Sequence, residues 1–318
     1  MEVVILDSGY KSYAFEEELF KKNGISLKIH PAYKGDLAEK KKFAENADGI
    51  LVRSTKIDEI FLAGMKNLKA IVRYGVGYDN VDVFACTNHG IKVANVQGYA
   101  NHAVSDHAMG LMFSCVRALW DFKFQVKHKF AAPPVPDIFE LHDKTLGIIG
   151  LGRIGSHFCK KALPLFKEIL ACDPYKPESY FKQFSARKVD LNELLNNSDV
   201  ISLHCNLSEE TTHLIDHKSF SMMDKKPVLI NTSRGEVISE KALIEALNSG
   251  KIHSAGLDVY EDEPITDRQA EILNHPRTIC TGHYAWYSDR SIQELQRRAA
   301  LNLLNFLSGK PVEDCLNC

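Results

Sequence analysis

The chain has 318 residues, 45% hydrophobic and 25% charged, which at roughly 150 residues per domain suits two cores and excludes a disulfide- or metal-stapled mini-protein. Its 39 Lys and Arg against 41 Asp and Glu give a net charge of -2, with no basic excess to neutralise nucleic-acid phosphates. The longest apolar stretch, Ala108 to Val116, stops at Arg117, short of the about 20 residues a membrane span needs, and the start carries Glu2 and Asp7 where a secretion signal carries positive charge. A cytoplasmic protein without a nucleic-acid or membrane partner is expected.

In chain order, strand-length apolar runs alternate with amphipathic helical stretches, the pattern of parallel sheets with crossover helices. The first series predicts strands near 3-7, 25-30, 49-53, 69-73 and 91-95, with helices near 13-23, 36-46, 58-64 and 80-88 between them. A helix over about 101-127 follows, and then a Pro-containing segment at 128-141 without periodicity, read as a linker or protruding arm. The second series predicts strands near 145-149, 169-173, 199-204, 228-232, 254-258 and 278-281, closed by a helix over about 289-308. The fold class is α/β, with two doubly wound parallel-sheet (Rossmann-like) domains.

The eight cysteines are scattered, mostly in apolar runs where a reduced Cys behaves as a small hydrophobe, which fits a reducing compartment. Cys315 and Cys318 form a C-x-x-C without a second pair and are read as part of a frayed tail. His213 and His217, four apart, lack an evident third ligand, so no metal site is assigned.

The strongest local signal is Thr145 to Gly155, a strand running into Gly150-x-Gly152-x-x-Gly155 with a helical pattern after it. Gly150 suits the tight turn, Gly152 lets the backbone approach a pyrophosphate, and Gly155 lets helix and strand pack closely. The amides of Arg153 and Ile154 then face the phosphates at a helix N-terminus. Asp173 ends the next strand, 18 positions beyond Gly155, where a carboxylate can accept from ribose hydroxyls and repel a 2'-phosphate. The expected cofactor is NAD.

Polar residues then recur at strand ends: Asn231-Thr232-Ser233-Arg234-Gly235, Asp258 to Pro264, and Thr281-Gly282-His283. With the glycine motif, these resemble the D-isomer-specific 2-hydroxyacid dehydrogenase family over essentially the whole chain. Leu203-His204-Cys205 and His283 to Ser288 look most like its C-terminal-binding-protein branch. The resemblance implies hydride transfer between NAD and a small 2-oxo acid, with His283 as general acid, Glu263 supporting its imidazole and Arg234 holding the substrate. It adds His204, Cys205 and Thr232 to the cofactor-binding residues and has Asp258 bond the nicotinamide carboxamide. Val76 and Gly77 become candidate carboxylate donors, Arg53 a contact for a charged substrate tail, and Trp286 a cap on the substrate. The family usually has Pro at the positions of Gln97, Asn206 and Gly282, and Gly282 is expected to loosen the backbone before His283.

The same resemblance implies a substrate-binding domain at 1-97 and 290-318, an NAD-binding domain at 98-289 inserted into it, and a homodimer formed through the 100-140 region. Alternatives are a 3-phosphoglycerate dehydrogenase, suggested by Arg53 and Lys56, and an NAD(H)-sensing scaffold.

Overall fold

The computed structural model describes residues 1–32, 35–119 and 138–318. The chain divides into one unit of Met1–Tyr99 with Ser288–Cys318 and another of Ala100–Tyr287, crossings two residues away from those expected.

The first unit carries a parallel five-stranded sheet of order β2-β1-β3-β4-β5, with β1 Glu2–Ile5, β2 Ser26–Ile29, β3 Gly49–Val52, β4 Ala70–Arg73 and β5 Lys92–Ala94. Residues 49–52 of β3 are all buried, as expected of a strand with helices on both faces. Asp36, Asp58 and Asp82 each start a helix by accepting a backbone N–H from two or three residues on. The long helix Asp289–Leu307 opens with a reciprocal Ser288–Ser291 cap and sets Leu303 against Gly49. A Cβ at Gly49 would lie 2.9 Å from Leu303, so the close packing requires glycine there.

One buried acid shapes the end of β3. Asp7 Oδ2 accepts the N–H groups of Arg53, Ser54 and Thr55, while Oδ1 accepts from Lys40 Nζ at 2.5 Å and the Thr55 hydroxyl at 2.6 Å. Burial raises the Asp7 carboxyl, but the hydrogen bonds from Lys40, Thr55 and the backbone outweigh it and hold the group below its usual range.

The expected frayed tail is corrected. Cys315 and Cys318 are joined by a disulfide, Cys315 bridges antiparallel to Ala94, and the Leu316 N–H donates to Val93 O. Leu316 packs against the core of this unit, and Asp314 is buried and paired to Arg298 at 2.6 Å. The segment covers the otherwise open edge of β5, where unpaired N–H and C=O groups are a liability.

The second unit carries a parallel seven-stranded sheet of order β12-β11-β10-β9-β6-β7-β8. Its strands are β6 Thr145–Ile149, β7 Glu168–Cys172, β8 Arg187–Lys188, β9 Val200–Leu203, β10 Val228–Asn231, β11 Ser254–Leu257 and β12 Thr278–Cys280. Strand β8 was not anticipated, because two exposed basic residues carry no hydrophobic period. The order reverses between β6 and β9, and at such a switch point the strand ends part to leave a crevice. The helix Asn101–Val116 lies on β10 and β11, with Leu111 and Cys115 against Gly256.

The helix expected to reach 127 runs to Val116, with Arg117 as its C-cap and Ala118 at φ +49. The remainder of that stretch, and most of the expected 128-141 arm, lies outside the described residues. Among the described residues, no helix is long and apolar enough to cross a membrane.

Candidate active site

At the end of β6 the three glycines do different things. Gly150 sits at φ +87, and a Cβ there would come within 2.6 Å of the Cys205 backbone N. A Cβ on Gly155 would lie 2.1 Å from Gly150 O, so the helix starting at Arg153 can approach the strand only with glycine there. Gly152, the N-cap of the helix Arg153–Ala162, faces open space, with no atom within 4 Å of a Cβ position. Ser156 strengthens the turn by donating to Gly152 O at 2.6 Å. A helix N-terminus bordered by open space at Gly152 suits a pyrophosphate.

Around this loop stand the other expected cofactor residues. Asp173 closes β7, buried, accepting from the Leu151 N–H at 3.0 Å and the Tyr175 N–H at 3.1 Å. Two accepted bonds leave its carboxylate further acceptor capacity. His204 follows β9, with Nε2 2.9 Å from Ser202 Oγ, its ring against Phe158, and Nδ1 buried without a hydrogen-bond partner. Desolvation pushes this imidazole down to about 3, so it is neutral. Cys205 is half-buried, and its thiol is raised by burial to about 11. Thr232 is buried, and its hydroxyl likewise lacks a hydrogen-bond partner.

A second constellation forms beyond β10, β11 and β12. Asn231, buried at the end of β10, donates through Nδ2 to Arg234 O and accepts the N–H and hydroxyl of Ser233, which fixes the turn presenting Arg234. A Cβ at Gly235 would stand 1.9 Å from the Tyr260 carbonyl carbon, so glycine is required to bring this turn against the loop that holds Glu263. In that loop, Glu263 Oε1 accepts the Tyr260 N–H, and Oε2 lies 2.5 Å from His283 Nδ1. The two side chains are 36% and 41% exposed, so both remain reachable by solutes. Nδ1 carries the hydrogen in this contact, which leaves Nε2 to face a reactant.

Residue 258 ties the His283 loop to the end of β11. Asp258 is fully buried, and its carboxylate accepts the Tyr284 N–H at 2.9 Å, the Ala285 N–H at 2.8 Å and the Thr281 hydroxyl at 2.5 Å. Its own carbonyl accepts the His283 N–H at 2.7 Å. With three bonds accepted at its buried carboxylate, Asp258 anchors the His283 loop. His107 extends the anchor, with Nε2 2.9 Å from Thr281 Oγ1.

His283 itself adopts φ +57, a left-handed conformation that few non-glycine residues occupy. This residue, directly after Gly282, is held by bonds on both sides. One is its N–H to Asp258 O, and the other is the Trp286 indole N–H donating to His283 O at 2.8 Å. Such strain persists only where the surroundings over-determine it. Asn231, Gly235, His107 and the anchoring role of Asp258 escaped sequence reading, although Asn231 and Gly235 lie within a motif it singled out.

Residues 109–285 match the family profile described as D-isomer specific 2-hydroxyacid dehydrogenase, NAD binding domain. A hydroxypyruvate reductase from Thermotoga maritima is 39% identical over 265 residues, covering 83% of this chain and 84% of that protein. This chain belongs to the D-isomer-specific 2-hydroxyacid dehydrogenase family. A D-3-phosphoglycerate dehydrogenase from Archaeoglobus fulgidus is 33% identical over 94% of this chain, which spans only 56% of that longer protein. The structure of a D-lactate dehydrogenase from Aquifex aeolicus, complexed with NAD and lactic acid, superposes with a TM-score of 0.86 at 30% identity, over 97% of this chain and 96% of that one.

As a member of this family the protein is an NAD-dependent oxidoreductase, and the open face at Gly152 with the Asp173 carboxylate fits that cofactor. In the other unit, Val76 is 41% exposed and Gly75 stands at φ +140. A Cβ on Gly75 would collide with the Arg73 guanidinium at 1.5 Å, and Asn95 Nδ2 donates to Val76 O at 2.6 Å. Arg53 lies with its guanidinium 5.5 Å from the centre of the Tyr10 ring. His213 and His217 have separate partners, Glu261 at 3.0 Å and Glu245 at 3.4 Å, and do not share one. Among the described residues no group of three metal-ligating side chains assembles.

Proposed function

We propose that this protein reversibly reduces a small 2-oxo acid to the D-2-hydroxy acid, with His283 as the proton donor. The observation that carries the reading is the 2.5 Å contact between His283 Nδ1 and Glu263 Oε2. A carboxylate on one imidazole nitrogen fixes the tautomer and aims the other nitrogen at a developing alkoxide. NADH, when bound, supplies the hydride.

The cofactor is assigned to Gly150, Gly152, Arg153, Ile154 and Gly155 for the pyrophosphate, Asp173 for the adenosine ribose, and the strand-end residues His204, Cys205 and Thr232. Arg234 orients the 2-oxo acid, since its planar fork can grip a carboxylate and polarise the adjacent carbonyl. Val76 and Gly77 are assigned the substrate carboxylate through their backbone N–H groups. Trp286 contributes by holding the His283 carbonyl as well as by bordering the substrate. Association of two copies through the 100-140 region is part of the same reading.

Arg53 over Tyr10 supports a second reading in which the substrate carries a distal anion, as 3-phosphohydroxypyruvate does. An NAD(H)-sensing scaffold has no need of the His283–Glu263 contact, which argues for turnover. The test is NADH oxidation at 340 nm with glyoxylate, hydroxypyruvate, pyruvate, phenylpyruvate, 2-oxoglutarate and 3-phosphohydroxypyruvate. Turnover of one of the first four supports the small-acid reading, preference for the phosphorylated acid supports the second, and NADH binding without turnover of any moves the assignment to the scaffold.

A further inference from the structure

The Cys315–Cys318 disulfide lies in neither catalytic constellation, yet it closes a segment with connections to the substrate loop of its own unit. That segment is fastened at every step. Asp314 pairs with Arg298, whose Nη1 donates to Gln97 O at 2.7 Å. The Leu316 N–H donates to Val93 O at 2.8 Å, and Asn317 Oδ1 accepts the Val93 N–H at 2.8 Å while its Nδ2 donates to Ile91 O and Thr87 Oγ1. The disulfide spans the Leu316–Asn317 turn from which these bonds to β5 originate.

The next residue along the chain from β5 carries the connection onward. The Asn95 N–H donates to Asp314 O at 3.3 Å, its side-chain Nδ2 donates to Val76 O at 2.6 Å, and its carbonyl accepts from Asn302 Nδ2 at 3.2 Å. Asn95 is buried, so this one residue is held at its backbone N–H by the cysteine segment while its side chain fixes the peptide between Val76 and Gly77. An accepted bond at Val76 O sets the orientation of that peptide, and with it the direction of the Gly77 N–H.

We propose that Cys315–Cys318 is a site of reversible thiol–disulfide modification, and that the closed bond keeps the 314–317 segment on β5 so that Asn95 holds the Val76–Gly77 loop in its substrate-binding form. The second half rests on the assignment of that loop to the substrate carboxylate. The reaction is exchange with a dithiol: an external dithiol gives up two electrons and two protons and becomes a disulfide, while the Cys315–Cys318 bond breaks to two thiols. Cys318 is exposed and Cys315 only partly buried, whereas Cys86, Cys115 and Cys159 are buried. Burial also pushes up the thiols of Cys86, Cys115, Cys159, Cys172, Cys205 and Cys280, which makes them poor competitors in exchange.

The test compares the protein as purified without reductant, the same protein after treatment with a dithiol, and Cys318→Ser. Thiol titration of the denatured unreduced protein should find six free cysteines and, after reduction, eight. Hydrogen exchange at the Val93 and Leu316 amides should then run about tenfold faster or more in the reduced protein and in Cys318→Ser alike. KM for the 2-oxo acid should rise several-fold, with kcat and the NADH Kd within about twofold of the oxidised protein. Eight free thiols before reduction, or unchanged exchange after it, would overturn the proposal, and an unchanged KM beside faster exchange would overturn the link through Asn95. Exchange is read without substrate, so it decides the disulfide's role even if no 2-oxo acid is turned over, the result that overturns the proposed reduction.

Discussion

Asp258 holds His283 from below: its carbonyl accepts the His283 N–H at 2.7 Å while its buried carboxylate gathers the N–H groups of Tyr284 and Ala285. A residue at φ +57 is kept there by a neighbour that never reaches the surface. Asp258→Asn places an amide N–H2 among donors, leaving at least one of them unsatisfied at a cost of about 1–3 kcal/mol. The substitution should lower stability to urea by that order and lower kcat at least tenfold, with the NADH Kd nearly unchanged. Equal losses in kcat and NADH affinity would point to a direct cofactor contact instead.

Glu263 acts on His283 through the contact at Nδ1. In Glu263→Gln the amide can turn an N–H toward Nδ1 where the carboxylate accepted, so the ring loses its fixed tautomer and orientation, and kcat for reduction should fall by about 10²-fold or more with the NADH Kd within about twofold of the parent. A kcat close to that of the parent would show that the contact does not serve the proton donor.

The glycines separate packing from ligand space. Gly155→Ala forces a Cβ to within 2.1 Å of Gly150 O and should destabilise the fold by several kcal/mol, visible as a lowered Tm. Gly152→Ala meets nothing in the protein, so Tm should stay close to that of the parent, while the NADH Kd measured by fluorescence rises about tenfold or more. Unimpaired NADH binding in Gly152→Ala would contradict the assignment of the open face to the pyrophosphate.

What is legible in the sequence depends on the range of the interactions involved. Strand ends were legible because continuous buried runs such as Val228 to Asn231 have a period of their own, and Gly150, Gly152 and Gly155 were legible because their spacing follows from one turn. The anchoring bonds of Asp258 are not legible: its partners Tyr284 and Ala285 lie 26 and 27 residues away, and nothing local marks a carboxylate as turned inward. The attachment of Cys315 to Ala94 joins positions more than 200 residues apart, beyond any local pattern. The left-handed His283 is not legible because only glycine adopts positive φ routinely; histidine does so in a small minority of cases, too few to mark one position.

His204 makes the acid limb of stability predictable. Its folded-state pKa of about 3 lies below the unfolded value of 6.5, so the unfolded chain binds the extra proton between those pH values and stability falls as pH drops through the window. Between pH 6.5 and 4.5 the loss from this one group is about 2 kcal/mol. His204→Gln should flatten that part of the urea-derived stability curve. The depressed Asp7 works in a different window, since its contribution is fully present above the unfolded value of 3.8 and is lost only as pH falls below that. A variant curve parallel to that of the parent from pH 6.5 to 4.5 would show that His204 does not stay neutral in the folded protein.

The role of His283 is tested by a single-turnover measurement of hydride transfer from bound NADH to the preferred 2-oxo acid, in the parent and in His283→Ala, with the NADH Kd determined for both. The rate should fall by about 10³-fold or more with Kd within about twofold, as expected when a proton donor used only in the transition state is removed. Transfer at the parental rate in His283→Ala would contradict that role.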